Sequence, residues 1–68
     1  MARLSKLQRS NNAHFDLRRK HADTPGKKGE VLYRYHDNVL KVQKAKKRVL
    51  SKSDRRKIFS TVRKRVYR

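Results

Sequence analysis

The last 28 residues, KVQKAKKRVLSKSDRRKIFSTVRKRVYR, carry thirteen Lys or Arg side chains against one acid, Asp54. Charges this dense are screened only over a Debye length of about 8 Å at physiological salt, so they repel one another across the whole segment. Any fold built from it must turn its cations outward on long elements and gains stability from a polyanion that neutralises them.

Size sharpens the constraint. The chain has 68 residues, 22 Lys or Arg against 5 Asp or Glu, a formal net charge of +17 and only 34% apolar residues. Below roughly 70 to 80 residues a single core seldom supplies more than about 3 to 5 kcal/mol without a staple. There is no cysteine to form a disulfide, and no Cys or His cluster spaced for a structural zinc. A bound partner is the staple that remains. No stretch approaches the roughly 20 apolar residues that cross a bilayer, and none has the apolar core of a signal peptide. The opening MARLSKLQRSNNAHF is free of acids, as organellar transit peptides are, but it is short for one. The expectation is an intracellular chain with no membrane span, in the cytoplasm, an organelle or the nucleus.

Punctuation is concentrated in DTPGKKG, residues 23–29, which holds the only Pro and both Gly residues. It divides one small unit into an N-terminal part (1–22), a loop (23–29), a helix over 30–50 and a helix over 51–68. In the first part, Asn12 can cap a short helix from Ala13 to Ala22, with residues 1–11 as an arm or an added turn carrying Leu4 and Leu7. After the loop, Leu32, Tyr35, Val39, Val42 and Val49 recur at helical spacing, with Glu30 at the start and Lys47 and Arg48 at the end complementing the macrodipole; VLYRY, aromatic and β-branched, is the one stretch that also suits a strand. Ser51 with Asp54 three residues on fits a capping-box variant, with Ser53 as the alternative cap, opening a helix in which Ile58, Phe59, Val62 and Val66 form the apolar stripe. The fold class expected is all-α, with the last two amphipathic basic helices as a hairpin or bent pair. One unbroken helix over 30–68 is the alternative, because Ser51 and Ser53 permit a break without forcing one.

Catalysis is disfavoured by elimination. A nucleophile, a base and an orienting group must meet in a pocket that excludes water, and a chain this small has little material to build one. His14 and His21 are seven residues apart, about 10 Å along a helix, too far to chelate one ion; the three histidines read as solvated or phosphate-contacting. Asp16, Asp23, Glu30 and Asp37 recur every seven residues, but Pro25, Gly26 and Gly29 interrupt any helix that would hold that phase, so the spacing reads as chance. No enzyme activity, metal or cofactor is expected.

The cations carry the positive reading. Lys41, Lys44, Lys47 and Arg48 lie opposite the stripe of the first basic helix, and Arg56, Lys57, Lys64 and Arg68 opposite that of the second. With Lys52, Arg55, Arg63, Arg65 and Tyr67 they make up the expected nucleic-acid-binding set. Each ridge can follow a phosphate backbone and release counterions from it. Tyr33 and Leu40 face away from the stripe and Tyr67 sits beside Lys64, positions suited either to stacking on unpaired bases or to packing against the N-terminal segment. Only Gln43 and Asn38 are amides able to read base edges, so backbone contact dominates. A basic, cysteine-free chain with a thin core and long charged helices resembles in composition the components buried in folded RNA, such as ribosomal proteins. The expected role is therefore an RNA-binding structural component, with RNA and neighbouring proteins of a ribonucleoprotein as partners. Two alternatives stand beside it. One is a small DNA-binding regulator or compaction factor of phage or nucleoid type, which dimerisation through the Leu32, Tyr35, Val39 and Val42 face would favour. The other is a basic inhibitor or anchor on an acidic protein or anionic membrane surface, disfavoured by the lack of a Trp- or Leu-rich insertion face.

Overall fold

Ser5, and not Asn12, starts the first helix. In the computed structural model, which describes residues 4–68, the Ser5 hydroxyl accepts a hydrogen bond from the Gln8 backbone N–H at 3.1 Å, leaving Asn12 inside helix α1, Lys6–Ala22. Of the two readings of residues 1–11, an arm or added helical structure, the second holds from Lys6 on; residues 1–3 lie outside those described. Asn12 was the more obvious cap because apolar residues follow it, yet α1 extends through the polar KLQRSNN because its inner side meets polar groups of the next helix. Arg19, Lys20 and His21 close it in the last turn, where positive charge suits the carbonyl end.

The loop is shorter than 23–29. Helix α2 spans Gly26–Lys46, with Pro25 at its N-cap position, so only Asp23, Thr24 and Pro25 connect the two helices. Both glycines are needed for this. Gly26 has φ +82°, a conformation L side chains rarely adopt. Gly29 is buried, and a Cβ there would collide with the Thr24 carbonyl. The turn's backbone is seated on the first turn of α2.

The end of α2 also differs from the expectation of residue 50. Lys47 takes a left-handed backbone, φ 56° and ψ 35°, which stops the helix and excludes one continuous helix over 30–68. Val49 is consequently 41% exposed, and Leu50 takes its place in the core at 3%. Helix α3, Lys52–Val66, begins as anticipated: the Ser51 hydroxyl accepts from the Asp54 N–H at 3.2 Å.

The all-α expectation holds, and α2 is its centre. Ser10 and Asn11 meet Gln43, and Arg18 meets Asp37, so α1 runs antiparallel to α2. Tyr35 meets Phe59 with ring centres 5.5 Å apart and Lys27 lies over Tyr67, so α3 is antiparallel to α2 as well. Among the described residues the backbones of α1 and α3 each lie along α2, with no such close approach between α1 and α3 themselves. The buried apolar core is Val31, Val39, Leu50 and Val62, which is thin. The radius of gyration of 12.6 Å exceeds the roughly 11 Å typical of a compact chain of this length. No helix among the described residues is long and apolar enough to cross a membrane.

Two backbone substitutions should move stability in opposite directions. Gly29→Ala must displace the Thr24 carbonyl and is expected to cost about 1 to 3 kcal/mol, the range for overpacking, whereas Lys47→Gly relieves a left-handed side-chain position and should gain up to about 1 kcal/mol. Thermal melts followed by far-ultraviolet circular dichroism give both signs; a Gly29→Ala protein as stable as wild type would contradict the seating of the turn.

Candidate nucleic-acid interface

Periodicity along α3 separates two faces. At about 100° per residue, Arg55 falls on the side of Ile58, Phe59, Val62 and Val66, while Lys57 and Lys64 fall opposite. The structure agrees: Val62 is buried, Ile58, Phe59 and Val66 are half-buried, and Lys57 and Lys64 are exposed. Arg55 is half-buried, with its Nε enclosed and without a partner. It belongs to the packed side and not to the outer ridge.

Between α2 and α3 runs a groove whose two stretches meet at Phe59. One is lined by Lys28, Val31, Leu32, Phe59, Arg63 and Tyr67, the other by Tyr35, Lys52, Arg55, Arg56 and Phe59. Leu32, Tyr35 and Phe59 are half-buried along it, while Lys28, Lys52, Arg56 and Arg63 are exposed. Tyr67, the C-cap of α3, is 51% exposed, with the Lys27 ammonium 5.7 Å from its ring centre. Apolar and aromatic surface thus alternates with cations along one concave face.

The acids are elsewhere. Asp37 accepts from Arg18 at 2.7 Å and pairs with Lys41 at 3.1 Å, and Glu30 pairs with Arg34 at 2.9 Å. Burial works to raise the Asp37 carboxyl, but hydrogen bonds from Lys41 and Arg18, and their charges, hold it below its ordinary value. Among the described residues, no cation of the segment 52–68 lies within ion-pair distance of a carboxylate.

Of the expected contact residues, the fold gathers Lys52, Arg56, Arg63 and Tyr67 on the groove, with Arg55 at its packed side. Lys57 and Lys64 form the outer ridge, and Arg68 follows the helix. Arg65 is exposed, as are Lys47 and Arg48 in the connection after α2. Lys41 is engaged by Asp37, and Lys44 lines a separate groove against α1. Gln43, expected as an amide reader, is fully buried. Lys27, Lys28, Leu32, Tyr35 and Phe59 were missed as groove residues: the apolar three carry the periodicity of a core, and nothing in a linear sequence brings Lys28 beside Arg63. Leu40 packs in the α1/α2 groove beside Phe15, the ordinary-packing reading of its position.

The histidines correct the sequence reading most. His14 and His36 are buried, with their Nδ1 atoms 2.9 Å apart, and His21 stacks on His36 with ring centres 5.7 Å apart and planes within 3°. One Nδ1 must donate and the other accept, so the pair needs complementary neutral tautomers. Burial, then the neighbouring His14 and His21, push His36 down to about 4, and burial, then Arg55, lowers His14. His14 and His36 are thus core groups joining α1 to α2 and are not solvated, whereas His21 is half-buried at the edge of a surface pocket.

Comparison with protein-family models, with curated proteins and with solved structures finds no match for this chain.

The histidine pair makes stability pH-dependent with a defined sign. Both imidazoles are less basic in the folded chain than in the unfolded one, so between about pH 6.5 and 4 the unfolded state binds more protons and folding weakens as pH falls. Melting temperature should be highest near neutrality and decline through that window, with Asp37 adding to the loss at still lower pH. His36→Asn should flatten the decline, and a wild-type melting temperature constant across the window would contradict it.

Proposed function

We propose that this protein is an RNA-binding structural component, suited to a ribonucleoprotein such as a ribosome, and that it seats unpaired RNA in the α2/α3 groove. The observation that carries the reading is the coincidence, on one concave face, of uncompensated cations with aromatic and apolar surface. Phosphates would lie on Lys28, Lys52, Arg56 and Arg63, where each contact releases condensed counterions. Bases would stack on Tyr67 and against Phe59, a use of aromatic side chains that favours strands whose bases are not already paired. Lys57 and Lys64, on the far side of α3, would add to the positive field that draws the strand in.

One further observation favours RNA over a symmetric DNA reader. On the Leu32, Tyr35, Val39 and Val42 face, through which a two-fold dimer would form, Val39 is 0% exposed and Tyr35 packs edge-on against Phe59 of α3, which leaves less of it for a second copy. With Gln43 enclosed as well, the polar groups lining the α2/α3 groove are mostly Lys and Arg, which fix position on a backbone without reading sequence.

Fluorescence titrations with a looped RNA and a duplex DNA test the reading. Tyr67→Ala should cost about 1 to 3 kcal/mol on the looped RNA and much less on the duplex. Arg56→Gln with Arg63→Gln should lower the salt slope of log K by about 0.7 to 0.9 per lost contact, nearly independently of sequence. Equal Tyr67 losses on both ligands would favour the DNA alternative, and a salt slope near zero would favour an acidic protein partner.

A further inference from the structure

We infer that this protein holds two nucleic-acid segments at once, one in the α2/α3 groove and a second in the groove between α1 and α2; the inference rests on the reading above. The second groove is built from Phe15, Asn12, Arg18, Asp37, Leu40 and Lys44.

Its chemistry suits a nucleotide. Phe15 is 43% exposed, with the guanidinium carbons of Arg18 and Arg19 at 4.9 and 5.5 Å from its ring centre. An aromatic ring with cations over it offers both a stacking surface and charge. Leu40 supplies apolar lining. The Asn11 side-chain oxygen already accepts from Gln43 at 2.8 Å, and that of Asn12 from Gln8 at 3.2 Å. Each amide also has its NH2 group, a donor to a base carbonyl, a ring nitrogen or a phosphate. The one carboxylate in the groove, Asp37, is held between Arg18 and Lys41; with Lys44 beside them the groove is cationic on balance.

Geometry makes the site separate from the first. Lys28 and Leu32 line the α2/α3 groove, and Asp37 and Lys41, nine residues after each, line the α1/α2 groove. Nine residues at about 100° each place the members of each pair about 180° apart around α2. The two grooves therefore open on opposite sides of the central helix, in a molecule whose smallest dimension is 17 Å. One strand lying along either groove leaves the cations of the other unneutralised, and at net charge +17 those cations retain a strong affinity for a second polyanion. The chain is a bridge between RNA segments.

Native mass spectrometry of the full chain with two unstructured RNA oligonucleotides of about eight and about ten nucleotides, lengths within the range one groove accommodates, tests this. The expected species is one protein carrying one oligonucleotide of each length. Phe15→Ala with Lys44→Gln, both exposed positions, should weaken the second binding step by about 5- to 150-fold, the equivalent of losing one stacked base, and leave the first unchanged. Oligonucleotides containing a photoreactive uridine should crosslink to two peptides, one around Phe15 and one around Tyr67, which reports the two sites without any variant. A ceiling of one oligonucleotide per chain overturns the inference while leaving RNA binding intact. So does a second step indifferent to the Phe15 and Lys44 changes, a two-protein complex, or an acidic peptide that displaces RNA only from the Phe15 crosslink. Absence of binding to either oligonucleotide overturns the RNA reading and, with it, this one.

Discussion

The side-chain amide of Gln43 ties α2 both to α1 and to the connection that leads into α3. Its Oε1 accepts from the Leu50 backbone N–H at 3.1 Å and from the Ser10 hydroxyl at 3.4 Å, while its Nε2 donates to Asn11 Oδ1 at 2.8 Å. The Leu50 N–H can only donate, so the orientation of the amide is set by the network. Leaving one such buried group unpaired costs about 1 to 3 kcal/mol, a large fraction of what a core of this size supplies. Much else follows from this contact. The chain must reverse at Lys47 to bring the Leu50 N–H to Gln43, and that reversal takes the Leu50 side chain into the core. It also fixes where α1 lies along α2, since Ser10 and Asn11 meet Gln43 and the histidine pair forms further along the same antiparallel contact.

Charge is distributed unequally over this frame. Asp37 and Glu30 are engaged in the α1/α2 half, whereas the single acid of α3, Asp54, sits in its first turn, where it complements the helix dipole. Repulsion is therefore strongest on α3, which is held to α2 by a few contacts such as Val62 and the Tyr35–Phe59 edge-on pair. An anion in the α2/α3 groove would relieve that repulsion and tie α3 to α2 through Lys28 and Arg63 together, so binding and folding reinforce each other. The α1/α2 half, with its polar contacts between His14, His36, Gln43 and Asn11, is the more rigidly specified of the two.

What could be read from the sequence was whatever depends on neighbours along the chain. Helix over strand, the Ser51 cap, the stripe of Ile58, Phe59, Val62 and Val66, the break near Pro25, and the outward cations Lys57 and Lys64 are consequences of periodicity and local hydrogen bonding. The tertiary structure decided everything that needs two segments to meet. It made Gln43, His14 and His36 core groups, because each finds a complementary partner across α1 and α2 that no spacing within one helix reveals. It exchanged Val49 for Leu50 by reversing the backbone at Lys47, and placed Lys28 beside Arg63 to form a groove. Polarity is a property of a residue; whether a polar group faces solvent or a buried partner is a property of the packed pair, and that is fixed only once the helices are in place.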